Sequence, residues 1–545
     1  MMDTELTTWL LMWNAEQHHH DVEVVSRMPD ASIHRYTYAE FGPRAKQLMN
    51  ALDSLGLETG ARVATLAWNS YRHLEAYFAV PCTGRVLHTL NLRLSPAELV
   101  HIMTDAEDVA VLVDADLVPL LELVAPQVPT LEHVIVMGTP ERAVTIAGAT
   151  VHDYETIVGA ASSAYEEPTL DERSVAGLCY TSGTTGLSKG VAYTHRSTVL
   201  HTMAAASAAG VSIGPSDCAL PQVPMFHANA WGIPYAAVAV GAKLCLYGGA
   251  LVPKDFVDLM IEEGVTVSAG VPTVWMGIAD ELERRGPGAT ELRHIVCGGS
   301  QPSRALIEQY ADTLGITVVQ AWGMTETSPL GSVAWPHHHL RHLAPEQLRE
   351  RVWRHAGLPV PGVAISVRDE KGTGVPADGE SMGALYVRGP WVADGYLHGR
   401  GAENFTGDGW FHTGDVAVVT PDGYFVIADR TKDLIKSGGE WISSVDMEAA
   451  IMAMPAVAEA AVIAVPHEKW GERPLACIVV RDGQQVTEDD VREHLLASGF
   501  MDWQLPDRIE LIDEVPKTAV GKFDKKVLRR RLVDVADGPA VGADE

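Results

Sequence analysis

The stretch that decides the fold is Tyr180-Thr-Ser-Gly-Thr-Thr-Gly-Leu-Ser-Lys189-Gly190, which follows an apolar, strand-like run, Val175–Tyr180. Glycines let backbone N–H groups approach phosphate oxygens, hydroxyls donate hydrogen bonds, and a lysine offsets phosphate charge. It is not a Walker A loop, because Gly190 rather than serine or threonine follows Lys189, and the chain continues as Val-Ala-Tyr-Thr-His. The stretch therefore indicates a polyphosphate-binding loop of another kind.

Helix and strand signals alternate on both sides of this loop. Predicted helices are Tyr38–Leu55, Ser70–Thr83, the segment that a capping box opens at Ser95–Glu98, and Thr487–Ser498. Predicted strands are Arg62–Trp68, Val109–Val113, Lys243–Tyr247, Thr266–Ala269, His294–Cys297, Thr317–Gln320, Ala384–Arg388, Val416–Val419, Tyr424–Ala428, Ala460–Val465 and Ala476–Val480. This order predicts an α/β fold with mainly parallel sheet and, after Val363, a β-rich subdomain.

Composition narrows the class of protein. The 545 residues include 41 Lys+Arg and 71 Asp+Glu, a net charge of −30, and such an acidic chain repels nucleic acid. No apolar run approaches the roughly 20 residues that a membrane helix needs, and the N-terminus lacks the pattern of a signal peptide. The six cysteines form no CxxC pair, so we expect reduced thiols and a cytoplasmic, multidomain enzyme.

Six further motifs follow the loop. They are His195-Arg-Ser197, Gly298-Gly-Ser300, Ala321-Trp-Gly-Met-Thr-Glu-Thr327, Trp410-Phe-His-Thr-Gly-Asp415, Asp429-Arg-Thr-Lys-Asp-Leu-Ile-Lys-Ser-Gly-Gly-Glu440 and Pro516-Lys-Thr-Ala-Val-Gly-Lys522. With these motifs, in this order, the chain resembles the adenylate-forming (ANL) superfamily of acyl-CoA synthetases, firefly-type luciferases and peptide-synthetase adenylation domains. The resemblance implies a large N-terminal domain, residues 1–431, of α/β sheets with a β-rich subdomain. It also implies a small, mobile α+β C-terminal domain, residues 432–545.

The resemblance assigns roles to residues of these motifs. For the phosphate grip and the nucleotide it implies Thr181, Ser182, Gly183, Thr184, Thr185, Lys189, Gly298, Gly299, Ser300, Trp322, Gly323, Thr325, Asp415, Arg430 and Lys436. Glu326 is the implied Mg²⁺ ligand, since a carboxylate beside phosphates suits that ion. Lys432 is the implied hinge and Lys522 the lysine that meets the transferring phosphoryl group. The acceptor side is implied for Gly438, Gly439, Glu440 and Trp441.

An acyl pocket is expected near Pro224–Gly232, an aromatic-rich segment. His227 is expected to orient the carboxylate, and Trp231, four residues on, would share its face if the stretch were a helix. Val271–Trp275 is expected to line the same cavity. Gln301 replaces the small residue usual in fatty acyl-CoA synthetases, and its amide would suit a polar or functionalised acid.

The implied reaction joins a carboxylic acid, a medium- or long-chain fatty acid or a functionalised relative, with ATP and then with coenzyme A. An amide synthetase passing the acyl-adenylate to an amine is the alternative, and a nucleotide-binding protein without turnover is a third hypothesis. The histidine triplets His18–His20 and His337–His339, and most of the basic run Lys517–Arg531, are interpreted as solvated side chains. The resemblance to long-chain enzymes is compatible with a homodimer.

Overall fold

The computed structural model describes residues 2–181, 187–352, 355–430, 433–437, 440–517 and 523–532. Local chemistry sets helix starts as expected. The Ser95 hydroxyl accepts a hydrogen bond from the N–H of Glu98, and the Glu98 carboxylate accepts one from the N–H of Ser95, so a helix begins at Pro96. The helices are α1 Thr8–His18, α2 Tyr38–Ser54, α3 Tyr71–Cys82, α4 Pro96–Ala106, α5 Val118–Val124, α6 Tyr154–Ala160, α7 His195–Ala206, α8 Ile233–Val240, α9 Pro253–Glu262, α10 Pro272–Arg285, α11 Arg304–Glu308, α12 Pro345–Val352, α13 Ser444–Met452, α14 Glu488–Ala497 and α15 Lys525–Leu532.

The strands build four sheets. They are β1 Glu23–Arg27, β2 Ile33–Thr37, β3 Arg62–Leu66, β4 Val86–Thr89, β5 Asp108–Asp114, β6 His133–Met137, β7 Thr150–Asp153, β8 Val175–Tyr180, β9 Gly190–Thr194, β10 Cys218–Pro221, β11 Lys243–Tyr247, β12 Val267–Gly270, β13 His294–Cys297, β14 Thr317–Gly323, β15 Leu330–Val333, β16 Leu358–Pro359, β17 Ala364–Arg368, β18 Gly383–Arg388, β19 Phe411–Val419, β20 Phe425–Arg430, β21 Ile435–Ser437, β22 Glu440–Ile442, β23 Val457–His467, β24 Gly471–Val480 and β25 Arg508–Leu511.

Among the described strands, two large sheets are mainly parallel. One has the order β7-β6-β5-β3-β4-β8-β9, antiparallel only at β8–β9. The other has the order β16-β15-β14-β13-β12-β10-β11-β1-β2, with parallel pairs from β14 to β1. Short helical connections between consecutive strands account for the parallel order, because a parallel pair needs a crossover.

Two smaller sheets follow. Strands β17-β18-β19-β20 form an antiparallel sheet, which is the predicted β-rich subdomain. Strands β22-β21-β24-β23, with β25 beside β24, form the sheet of the C-terminal region, and α13, α14 and α15 accompany it. The predicted fold class is therefore confirmed. The predicted boundary at residue 432 falls on residues outside the described ranges.

One apolar core joins the two large sheets. It contains Val63 and Leu112 from the seven-stranded sheet and Leu244 and Val296 from the nine-stranded sheet, with α2, α3 and α8 between them. Separate clusters cover the outer faces, under α9 and α10 on one side and under α4 and α5 on the other. Within the described residues, no helix combines the length and the apolar character needed to cross a membrane.

Candidate active site

Two hydrogen bonds join the ends of the predicted phosphate loop. The N–H of Thr181 donates to the carbonyl oxygen of Lys189 at 3.0 Å, and the N–H of Lys189 donates to Thr181 Oγ1 at 3.2 Å. The loop therefore leaves and re-enters the β8–β9 pair at a fixed point, where Lys189 is anchored. The other predicted phosphate-loop residues, Ser182, Gly183, Thr184 and Thr185, lie outside the described residues.

Glu326 lies in a tight turn, Thr325–Thr327, directly after β14. Its side chain is buried, and its Oε1 accepts a hydrogen bond from the Tyr396 hydroxyl at 2.5 Å. The Lys189 ammonium lies 4.9 Å from the centre of the Tyr396 ring, which is a cation–π contact. The structure thus brings the predicted phosphate-loop cation and the predicted metal ligand to the ring and the hydroxyl of one tyrosine.

Tyr396 is the site residue that the sequence analysis missed. Burial, together with the neighbouring Glu326 carboxylate, raises the pKa of Tyr396 well above its ordinary value, so the hydroxyl stays protonated and donates. The residue stands beside Gly395 in a segment without a charge pattern or a metal-ligand spacing. No signal in the sequence alone singled it out.

Asp415 is held on both carboxylate oxygens. Oδ2 accepts a hydrogen bond from Trp322 Nε1 at 3.0 Å, and Oδ1 lies 2.8 Å from Arg430 Nε. The side chain is 2% exposed, and β19 pairs with β20 so that Asp415 stands opposite Arg430. The predicted ribose acceptor, an adenine-pocket residue and the predicted adenylate-binding arginine are therefore in direct contact.

The remaining nucleotide-site predictions fall on the ends of parallel strands. Gly298 directly follows β13 and lies against the Trp231 ring, whereas Gly299 and Ser300 are exposed. Gly323 ends β14, and the Thr325 carbonyl oxygen accepts a hydrogen bond from the Tyr193 hydroxyl at 2.7 Å. The strand ends thus meet the predicted acyl-pocket tryptophan at Gly298.

The expected helical relation between His227 and Trp231 is wrong. His227 has extended backbone, its N–H donates to the Pro224 carbonyl oxygen at 3.0 Å, and a left-handed turn follows over Ala228–Gly232. Four non-glycine residues in this turn have φ between 42° and 57°. Left-handed helical backbone costs about 1–2 kcal/mol per residue, so tertiary contacts rather than local propensity maintain the turn.

The other acyl-pocket predictions are placed in part. Val271 precedes α10, and its carbonyl oxygen accepts hydrogen bonds from the N–H groups of Val274 and Trp275. Trp275 is fully buried in the apolar cluster under the nine-stranded sheet and packs edge-on against Tyr310. Gln301 Nε2 is buried and has no hydrogen-bond partner in the described part of the chain. An unpaired buried donor of this kind is costly unless a ligand or water satisfies it.

Fewer of the C-terminal predictions can be placed. Lys436 is exposed, and its ammonium lies 4.9 Å from the centre of the Trp441 ring, so a predicted nucleotide residue contacts a predicted acceptor-side residue. Trp441 is half-exposed on β22, which begins at Glu440. The hinge lysine, the two acceptor-side glycines and the closing lysine lie outside the described residues: Lys432, Gly438, Gly439 and Lys522.

The interpretation of the basic run as solvated is wrong for Lys525. Its ammonium lies 2.7 Å from Glu448 Oε1 and 2.6 Å from Ser444 Oγ, and both ion-pair side chains are largely buried. On the same helix, α15, Arg529 forms an ion pair with Asp433 at 2.6 Å. These pairs attach one face of α15 to α13 and to the segment after β20, which the sequence run alone did not indicate.

The residues fit a magnesium ion shared with a nucleotide. Mg²⁺ usually binds through one or two carboxylates plus substrate phosphates and water. Glu326 supplies one buried carboxylate at the hydroxyl of Tyr396, whose ring contacts the phosphate-loop lysine. In the described ranges no group of three or more His, Cys, Asp and Glu side chains could hold a metal by itself.

Comparison with known proteins identifies the family of the chain. A model of the AMP-binding enzyme family matches residues 11–397, and a model of the AMP-binding enzyme C-terminal domain matches residues 446–522. The chain is similar to a long-chain-fatty-acid–CoA ligase of Thermus thermophilus, with 47% identity over 540 residues, 99% of this chain and 98% of the relative. It is also similar to a 3-methylmercaptopropionyl-CoA ligase of Ruegeria pomeroyi, with 40% identity over 542 residues and 99% of each chain.

A solved structure, ATP-bound MatB from Rhodopseudomonas palustris, matches with a TM-score of 0.83 and 26% identity, covering 98% of this chain and 100% of that chain. The chain therefore belongs to the AMP-binding enzyme family. The predicted membership of the adenylate-forming superfamily, and of its acyl-CoA synthetase type of enzyme, is confirmed.

The left-handed turn gives a testable prediction. Gly232 ends the turn at φ +74°, and a Cβ there would come within 2.5 Å of His201 Cε1. We expect Gly232→Ala to lower the free energy of unfolding by about 2 kcal/mol or more, through positive φ and overpacking. Denaturant unfolding of the variant and the wild type measures this difference in the free energy of unfolding.

Gly315→Ala is the matched control, because Gly315 has φ +71° and no atom within 4 Å of an added Cβ. Its cost should be limited to the backbone conformation, about 1 kcal/mol. Equal losses in the two variants would contradict the close contact between the turn and His201.

Proposed function

We propose that this chain is an AMP-forming acyl-CoA synthetase, which converts a carboxylic acid, ATP and coenzyme A into acyl-CoA, AMP and pyrophosphate. The observation that carries the proposal is the convergence of Lys189 and Glu326 on Tyr396, together with the Trp322–Asp415 contact, since Trp322 precedes Glu326 by only four residues. One half of this arrangement suits a triphosphate with its metal, and the other half suits a ribose. The names of the Thermus and Ruegeria relatives support the thiol acceptor.

In the first half-reaction, a carboxylate oxygen attacks the α-phosphorus of ATP, and pyrophosphate leaves with the bond electrons. Negative charge builds up on the α- and β-phosphate oxygens, so fixed cations lower the barrier. We assign this work to Lys189 at the loop, Arg430 beside Asp415, and Lys522. Glu326 would hold Mg²⁺, which neutralises phosphate charge when bound. His227 would orient the carboxylate, with Thr181 and the rest of the loop holding the phosphates.

In the second half-reaction, the thiol of coenzyme A releases its proton, its sulfur attacks the acyl carbon, and AMP leaves with the electrons of the acyl–oxygen bond. We propose that the chain turns about Lys432, so that residues 1–431 form the large domain and 432–545 the small one. The small domain would first present Lys522 and then the face that carries Gly438, Gly439 and Trp441. One site can serve two reactions in this way, because each needs a different set of groups around the same acyl phosphate.

The acid is proposed to be a medium- or long-chain fatty acid or a functionalised relative. The relatives' names include both a long-chain fatty acid and a thioether acid. The buried, unpaired Nε2 of Gln301 supports an acid that carries a hydrogen-bond acceptor, because an acceptor would satisfy that donor. We also propose that the enzyme depends on Mg²⁺, lies in the cytoplasm and forms a homodimer. The cysteine pattern supports the cytoplasmic location, and the resemblance to long-chain enzymes supports the homodimer.

The reaction class is tested with purified protein, ATP, Mg²⁺ and a panel of carboxylic acids. We expect acid-dependent pyrophosphate release and, with coenzyme A present, a thioester detected by mass spectrometry. Formation of an amide from an added amine, without any thioester, would show that the chain is an amide synthetase and not an acyl-CoA synthetase. Absence of acid-dependent pyrophosphate release across the panel would contradict both readings.

Lys522→Ala should separate the half-reactions. Loss of a cation that meets the developing phosphoryl charge should slow adenylation by about 10²–10³-fold. Conversion of supplied acyl-AMP and coenzyme A should stay within about threefold of the wild type. Lys526→Ala is the control, because Lys526 is exposed on α15. Equal losses in both half-reactions would refute a role confined to adenylation.

Gln301→Leu should change acid preference. The test compares a fatty acid with its analogue in which one CH₂ is replaced by oxygen or sulfur. Removing one hydrogen bond to the acceptor should lower kcat/KM for the analogue by about 3–10-fold and leave the fatty acid equal or improved. Gln127→Leu, at an exposed position, is the control. Equal losses of kcat/KM for both acids would show that Gln301 does not recognise the acceptor atom in the acyl chain.

A further inference from the structure

Residues 396–401, which we call the tyrosine strap, contact Lys189 at the end of the predicted phosphate loop. At one end, Tyr396 contacts Lys189 through its ring and Glu326 through its hydroxyl, at the distances given above. At the other end, Gly401 lies against Lys189 Nζ. Both ends of the strap therefore contact the predicted phosphate-loop cation.

A carboxylate outside all the sequence motifs fastens the strap. Asp105, near the end of α4, accepts two hydrogen bonds from the Arg400 guanidinium, one of them 3.0 Å long from Nη1 to Oδ2. The same Oδ2 accepts a hydrogen bond from the Tyr180 hydroxyl at 2.8 Å, and Tyr180 is the last residue of β8, immediately before the loop. One carboxylate thus ties the strap to the strand that carries the loop.

The Asp105 carboxylate is ionised in this contact, and solvent reaches its arginine partner. Although burial opposes its ionisation, hydrogen bonds from Arg400 and Tyr180 hold the pKa of Asp105 below its usual value. The Arg400 side chain is 40% exposed, and a cavity of about 470 Å³ lined by His101, Asp105, His398 and Arg400 borders the contact. Solvent therefore reaches the Asp105–Arg400 end of the strap, whereas Tyr396 at the other end is buried in an apolar cluster.

We propose that Tyr396 is a positioning residue of the phosphate grip, and that the Asp105–Arg400 pair fixes the strap that carries it. Without nucleotide, the ring keeps the Lys189 ammonium beside the loop in a contact weak enough to yield to phosphate. The hydroxyl orients the Glu326 carboxylate toward one geometry. This inference rests on the proposed adenylating function and adds to it the residues that set metal–nucleotide affinity.

Tyr396 variants separate this role from packing. The ring also packs edge-on against Phe405 and Phe411. Tyr396→Phe keeps this packing and the cation–π contact and removes only the hydroxyl, so it should change Glu326 alone. Tyr396→Leu removes the aromatic face as well, so it should also release Lys189.

The experiment measures equilibrium ATP binding by calorimetry in the absence of acid, with and without Mg²⁺. For Tyr396→Phe we expect the Kd of MgATP to rise about tenfold, because the Glu326 carboxylate loses the hydroxyl that orients it, and the Kd of metal-free ATP to change less than about twofold. For Tyr396→Leu, Kd should rise in both conditions. For Asp105→Asn, the Kd of MgATP and the KM for ATP should rise about 3–10-fold, with the KM for the acid unchanged.

Glu122→Gln is the matched control, since the Arg142–Glu122 pair also joins an exposed arginine to a half-buried carboxylate. It should bind both forms of ATP like the wild type. Thermal unfolding of every variant checks the fold, and if Asp105→Asn fails to fold, Arg400→Gln tests the same contact from its exposed side. Wild-type affinities in Tyr396→Phe, or equal losses with and without Mg²⁺, would overturn the inference.

The two levels of proposal fail differently. If the wild type binds MgATP and the Tyr396 and Asp105 variants bind it equally well, only the positioning role falls. If the wild type binds MgATP but makes no thioester or amide, the proposed reaction is wrong. The binding data then still test whether the strap positions Tyr396. If the wild type binds no ATP at all, both fall together.

Discussion

The packing of the two large sheets against one apolar core is the constraint on which the site depends. The phosphate loop leaves the seven-stranded sheet between β8 and β9, whereas Glu326 and Trp322 come from the end of β14 in the nine-stranded sheet. The two sets meet because the sheets face each other, and the Tyr193 hydroxyl on β9 bonds directly to the Thr325 carbonyl oxygen. A shift of one sheet against the other would separate the cation from the carboxylate before it disturbed either sheet internally.

The net negative charge of the chain opposes the binding of anionic substrates, and cations within the site offset it locally. The net charge of −30 opposes ATP, coenzyme A and a carboxylate, all of which are anions. Where the described site carries cations, each has a defined neighbour: Lys189 has the Tyr396 ring and Arg430 has Asp415. Because these cations are held beside partners that phosphate or ribose can replace, ligand binding exchanges contacts rather than desolvating bare charges.

The sequence predicted the fold class and most elements, because periodicity and capping are local signals; Ser95–Glu98 opened α4 where expected. Its motifs also named Lys189, Glu326 and Asp415, whose contacts the structure shows. It missed Tyr396 and Asp105, since their importance comes from partners distant in the chain. Its predicted strand Val416–Val419 was too short, because pairing with β18 and β20 extends β19 over Phe411–Val419.

The left-handed turn at Ala228–Gly232, where the helical expectation was wrong, lies in the segment predicted to line the acyl pocket. A local rule could not predict four consecutive residues in a costly conformation, so contacts elsewhere must supply the difference. Those contacts are visible: Asn229 Oδ1 lies 3.4 Å from Cys179 Sγ, beside the phosphate-loop strand, and the Trp231 ring lies on Gly298. The position of Trp231, the tryptophan predicted to line the acyl pocket, is therefore set by contacts with residues on the predicted nucleotide side of the molecule. Because the turn is maintained by these contacts, a change on the nucleotide side can alter the acyl side without any change in the residues that line it.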